Sequence, residues 1–199
     1  LTYGSSDYFA MMQQAIISDL GKETQVRNER VISIDTSRLY ERSASFEKIG
    51  VPVAIEWLLD SSFNILFFDV RPLGTEAPSG FLDYQTKTDL RLPFDNEWVV
   101  IWGGRAIQDN YHVIHPDQRF ASDFVIFQGG MFYTGDGSRN EDHYCFGQPV
   151  LAPGAGVVIA SENTVPDNTP PEENYDQPLG NYVVIDHENG EYSVLAHFK

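Results

Sequence analysis

The 199-residue chain has a single cysteine, Cys145, so no disulfide can form within it. The compartment stays open on that ground, because a secreted domain need not contain disulfides. Basic residues are scarce: 13 Lys and Arg stand against 29 Asp and Glu, for a formal net charge of −16. A field of that sign repels phosphate backbones and anionic lipid surfaces, which argues against nucleic acid as a partner. It does not hinder a neutral or cationic peptide. No apolar run reaches the roughly 18 residues needed to cross a bilayer as a helix, so no membrane insertion is expected. Several well-defined motifs are also missing. There is no Gly-x-Ser-x-Gly, no Walker-type phosphate loop, no His-Glu-x-x-His and no cysteine pair for a structural zinc. Cys145 lies in Tyr144-Cys145-Phe146-Gly147 with no adjacent cation, and reads as a small packing residue.

What is present is the material of a folded protein: 42% hydrophobic and 13% aromatic residues, over a length that fits one large or two small domains. Tyr8, Phe9, Met12, Ala15, Ile16 and Leu20 recur at helical spacing, which predicts a helix over Ser6 to Leu20 stopped by Gly21. After a charged stretch, Arg30 to Ile34, Val51 to Leu59 and Phe63 to Val70 read as strands, the last two joined by a turn at Asp60-Ser61-Ser62. A helix followed by antiparallel strands suggests a small α+β domain. Residues 71–90, rich in Pro, Gly and charge, read as its linker.

From about Arg91 the pattern becomes all-β. Strands are expected at Glu97 to Trp102, His112 to Ile114, Ser122 to Phe127, and around Pro149 to Ile159. Asn163 to Leu179 is a long Pro/Asn/Glu-rich loop. Tyr182 to His187 and Tyr192 to Phe198 flank Asn189-Gly190, the pair preferred in a type I′ turn. A two-residue loop there would set Tyr182 opposite His197.

The chemistry concentrates between Asn110 and Phe124. His112 offers an imidazole and Asp123 a carboxylate, donors that suit zinc. A catalytic zinc site takes three protein ligands and keeps a position open for water. The two residues can converge only if the turn at His115 to Gln118 folds the chain back. From spacing alone, a buried histidine beside a structural aspartate remains the plainer alternative. His115 points to the other face of a strand and reads as a solvent-side turn residue. His143 reads as a loop histidine, and His187 as a structural hydrogen-bonding group at the hairpin end. His197, in Leu195-Ala196-His197-Phe198, is a candidate acid/base.

The order of these pieces resembles the lysostaphin-type zinc endopeptidases, which cleave bacterial cell-wall peptidoglycan. The resemblance runs from about Leu92 to Lys199. It rests on Trp102-Gly103-Gly104, Asn110-Tyr111-His112, Gln118 to Phe124, Phe146 to Val157, Gly180 to His187 and Asn189 to His197. It implies that His112 and Asp123 are zinc ligands, with His115 as a substitute for His112, and that His197 is a catalytic, non-ligand histidine. It also implies a Zn2+ cofactor, peptidoglycan peptides as partners, and export to the periplasm or exterior. The family's downstream His-x-His, source of the third ligand, occurs nowhere in this sequence. The chain begins at Leu1 without a leader and is expected to be a trimmed product, incomplete at its C-terminus and inactive as it stands. The expected fold is α+β, in two parts. Residues 1–90 would form a small cystatin-like or nuclear-transport-factor-like domain, and residues 91–199 an all-β peptidase domain. A non-enzymatic relative, binding wall peptides or regulating a hydrolase, is the alternative.

Overall fold

A computed structural model describes residues 6–199. Packing divides the chain into two units, one holding the chain up to Gly80 with Val99–Met131, the other Phe81–Trp98 with Phe132–Lys199. Among the described residues there are one α-helix and three antiparallel sheets, the coarse α+β class expected.

In the first unit, helix α1 (Ser6–Leu20) ends where the sequence places its stop. Gly21 takes φ +77° and its N–H donates to the Ile17 carbonyl at 3.0 Å, a left-handed cap that closes the last turn. Four strands follow as a meander: β1 (Glu23–Ile34), β2 (Ser37–Phe46), β3 (Ile49–Leu59) and β4 (Ile65–Pro72). The last hairpin turns on Asp60, whose carboxylate accepts from the amides of Ser62 and Asn64, each at 2.8 Å. Ala44, Phe46, Val53 and Ile55 form the buried core, with Leu20, Ile49, Trp57, Phe68 and Val70 packed against it. Tyr40, Trp57 and Phe68 stand opposite one another on successive strands, their rings 5.2 and 5.3 Å apart.

The strand missed in the sequence is β2. Its charges pair across to β1: Arg42 holds Glu23 at 2.8 Å and Glu29 at 2.9 Å, and Arg30 pairs with Glu41. Charges that satisfy one another across a ladder leave no apolar alternation to read.

A second row of charge crosses the whole meander, since register places Arg30, Glu41, Glu56 and Asp69 side by side. Glu56 is only 6% exposed, and burial pushes its carboxyl pKa up against the pull of Arg71, whose guanidinium sits 2.8 Å away. The 99–131 segment fastens to these groups. Arg71 stacks over the Trp102 ring at 4.3 Å, and Arg30 reaches Asp109 at 2.6 Å. Ser37 donates to the Gly130 carbonyl at 2.9 Å. Within that segment β5 (Val99–Trp102) pairs with β6 (Asp123–Val125), and Tyr111–Ile114 forms a 3-10 turn. The strand expected at 112–114 is therefore not formed. Asn110 caps the turn instead, its side chain accepting from the His112 amide at 3.2 Å.

The second unit carries a three-stranded sheet, β7 (Val157–Glu162), β8 (Asn181–Asp186) and β9 (Tyr192–Phe198), in that order. The long loop from 163 is clipped at its base by Asn181, whose amide bonds both the N–H and the C=O of Val165 at 3.0 Å. Along the outer strand β7, Val157, Val158 and Ile159 are all exposed.

The β8–β9 hairpin differs from its expected register by one residue. Tyr182 faces Ala196, not His197, and the ladder runs on to His187 and Glu191. The loop is Glu188-Asn189-Gly190, with Glu188 at φ +59° and Gly190 at φ +87°. Asp186 and Asn189 side chains accept from the amides of Glu188 and Glu191, which favours this longer loop over the two-residue turn.

Glu191 also pins the 81–98 segment. Its carboxylate accepts from Tyr84 Oη, the Lys87 amide and the Thr88 amide, each at 2.7 Å, and from the Thr88 hydroxyl. The Thr88 hydroxyl bond, followed by the Lys87 amide, leads in lowering its pKa to about 2. A depressed carboxyl stabilises the fold above its unfolded value, here 4.5, and that contribution is lost as pH falls towards 2. Glu191→Gln is expected to remove that acid-limb dependence and to speed hydrogen exchange at the Lys87 and Thr88 amides. Unchanged exchange at those amides would show that the pin carries no stability.

Candidate metal centre

The first unit brings His112 and Asp123 together. His112 rides on the 3-10 turn and is 5% exposed, while Asp123 opens β6 opposite Trp102. Nε2 of His112 lies 3.6 Å from Oδ1 of Asp123. That is beyond a direct hydrogen bond. It is close to the roughly 3.3–3.5 Å that separates two ligand atoms on one tetrahedral zinc, given bonds of about 2.0–2.1 Å. The convergence does not come from a hairpin of two strands, as expected. It comes from the β5–β6 pair placing Asp123 beside a turn held in register by Asn110 and Arg119.

Asn110 was not foreseen as a site residue. It is fully buried, its Nδ2 donates to the carbonyls of Gly104 at 3.1 Å and Ala121 at 2.8 Å, and these two bonds orient the amide. Its Oδ1 must then face His112 Nδ1, 2.8 Å away, and can only accept. The proton of the neutral imidazole is therefore on Nδ1, and the Nε2 lone pair is aimed at Asp123. A histidine held this way by its far nitrogen is oriented for metal ligation. The readable signal was Asn two residues before His, a residue type favoured at caps.

Arg119 is the second unforeseen residue. Only 3% exposed, it donates to the carbonyls of Ala77 at 2.6 Å and Val113 at 2.8 Å, and pairs with Glu76 at 3.1 Å. It thereby anchors the residue next to His112. Tyr111 stacks on the His112 ring at 4.1 Å and meets Trp102 edge-on at 5.4 Å, which closes the packing around the imidazole.

His115 is exposed, at the C-terminal end of the 3-10 turn. His197 belongs to the second unit, where it is exposed in β9 with φ +63° at the irregular end of the β8–β9 ladder. Among the described residues no group of three or more His, Cys, Asp or Glu converges as a metal site. His112 and Asp123 fit a metal as a pair of donors, and the third donor is not among them.

Asn110→Ala is expected to leave the His112 tautomer mixed, shown by the appearance of an Nε2–H signal in imidazole nitrogen NMR. It should also cost about 1–3 kcal/mol in stability, because the Gly104 and Ala121 carbonyls lose their donor. A single Nδ1–H tautomer in the variant would remove Asn110 from the site.

Comparison with protein-family models, with curated proteins and with solved structures found no match to this chain.

Proposed function

We propose that this protein is a zinc metallopeptidase of the lysostaphin type, hydrolysing peptide bonds of bacterial peptidoglycan in the periplasm or outside the cell. The observation that carries the reading is the Asn110–His112–Asp123 arrangement, in which an oriented imidazole faces a carboxylate at ligand–ligand spacing. His112 and Asp123 would hold the metal, and Asn110 would keep the His112 ring in its ligating tautomer. Bound zinc would supply an acidified water and polarise the scissile carbonyl. The sequence resemblance assigns the proton-handling role to His197 and the third ligand to a His-x-His pair absent from these residues. On the same reading residues 1–90 form a cystatin-like or nuclear-transport-factor-like domain, and residues 91–199 belong to the peptidase domain. A net charge of −16 is compatible with neutral or cationic wall peptides.

The test is metal analysis of the full gene product together with release of peptides from purified peptidoglycan. One zinc per chain and measurable release are expected, both lost in His112→Ala and Asp123→Ala. Neither metal nor release would end the enzymatic reading. A second reading then stands, that of an inactive relative that binds wall peptides or regulates a hydrolase. It is favoured by the lack of a three-donor cluster among the described residues. Co-sedimentation with insoluble peptidoglycan, in the absence of cleavage, is its signature.

A further inference from the structure

His187, read from sequence as a structural group, makes an arrangement with chemistry of its own. It follows β8 directly, is 9% exposed, and lies in the second unit. Its Nδ1 is 2.6 Å from the Ala155 carbonyl oxygen, and its Nε2 is 2.7 Å from Ser193 Oγ, on β9. A carbonyl oxygen can only accept, so Nδ1 carries the ring proton. Nε2 then presents its lone pair, and the Ser193 hydroxyl donates to it. This is a nucleophile, a base within hydrogen-bond reach, and a third group that orients the base. The register that differs from expectation creates it: with Asp186 opposite Tyr192, the ladder sets His187 opposite Glu191 and within reach of Ser193.

Ser193 is partly exposed. On the Nδ1 side of the ring, Ala155 borders an open cavity of about 420 Å3 that is lined by Asp89, Leu90, Arg91 and residues 152–155. Gly154 packs closely there: a Cβ would come within 3.3 Å of His187 Cε1 and 3.1 Å of a Thr88 methyl. Arg91 is held to this wall by its amide, which donates to the Pro153 carbonyl at 2.7 Å.

We propose that Ser193 is an activated nucleophile with His187 as its general base, and that the site takes small acyl esters. Ser193 Oγ bonds to the acyl carbon as the ester C–O bond breaks. The hydroxyl proton passes to His187 Nε2 and then to the departing alkoxide. Water cleaves the acyl-serine, releasing the acid and restoring the hydroxyl. The inference does not depend on metal at His112 and Asp123, so the assay is run with a chelator present.

The full chain is incubated with a biotinylated fluorophosphonate, which forms an Oγ–P bond as the P–F bond breaks, and the labelled peptide is located by mass spectrometry. p-Nitrophenyl acetate hydrolysis is followed in parallel. Labelling of Ser193 is expected, absent in Ser193→Ala and slowed at least about 100-fold in His187→Gln, the usual worth of a positioned base. Circular dichroism establishes that each variant is folded. The wild-type result needs no variant: no label on Ser193, or label at unselected serines only, overturns the proposal. So does labelling of a folded His187→Gln protein at the wild-type rate, which would leave the contact a structural clip.

Discussion

His112→Ala is expected to weaken Co2+ binding by more than about 100-fold, while His115→Ala leaves it unchanged. An outer hydrogen-bonding partner of a metal ligand already contributes 10–100-fold, so loss of the ligand itself should exceed that. The asymmetry follows from position. His112 is buried, its tautomer is set by Asn110, and its Nε2 faces Asp123 at 3.6 Å. His115 is exposed and its backbone closes the 3-10 turn through the His112 carbonyl at 2.9 Å. Paramagnetic broadening by Co2+ reads the site even when affinity is low, because signals near the ion vanish first. Broadening centred on residue 115, or none lost in His112→Ala, would contradict the assignment.

Arg71→Ala should cost about 3 kcal/mol at neutral pH, the effect of leaving a buried carboxylate without its partner. Glu56 has Glu41 and Asp69 on its flanks and Arg71 as the cation at 2.8 Å. Its folded pKa is raised by burial, so its contribution to stability is present below the unfolded value of 4.5 and fades as pH rises through the folded value. Removing Arg71 raises that value further. The deficit of Arg71→Ala relative to wild type should therefore be largest near pH 7 and shrink as the medium becomes acid enough to protonate Glu56. Urea denaturation at pH 7 and pH 4 measures it. A deficit independent of pH would assign the loss to the Trp102 stack instead.

The parts of this fold that could be read ahead were those whose signals are local. The α1 periodicity ending at Gly21, the Asp60 turn and the alternation of β9 all depend on neighbours in sequence. β2 could not be read this way, because Arg42 and Glu41 are satisfied on the adjacent strand. The 3-10 turn at Tyr111 reads as a strand because three residues offer no period, and its only local cue is the cap at Asn110. At the β8–β9 hairpin the Asn-Gly pair pointed to the correct place and the wrong length. The outcome turned on positive φ at Glu188, a residue type that gives no warning of it. At the candidate site the resemblance in residue order names His112 and Asp123, and the structure brings these two side chains within 3.6 Å. Of the groups that orient the pair, Asn110 has a local cue in its cap position, whereas Arg119 acts through the distant Ala77 carbonyl and the Val113 carbonyl and leaves no pattern.

The outer strand β7 has a practical consequence. With Val157, Val158 and Ile159 open to solvent, it is a ready template for β-pairing between molecules. What holds copies apart is mutual repulsion, and that vanishes as the isoelectric point of about 4.5 is approached. Turbidity should rise sharply on acidification or at high salt, and a lysine at position 158 should suppress it.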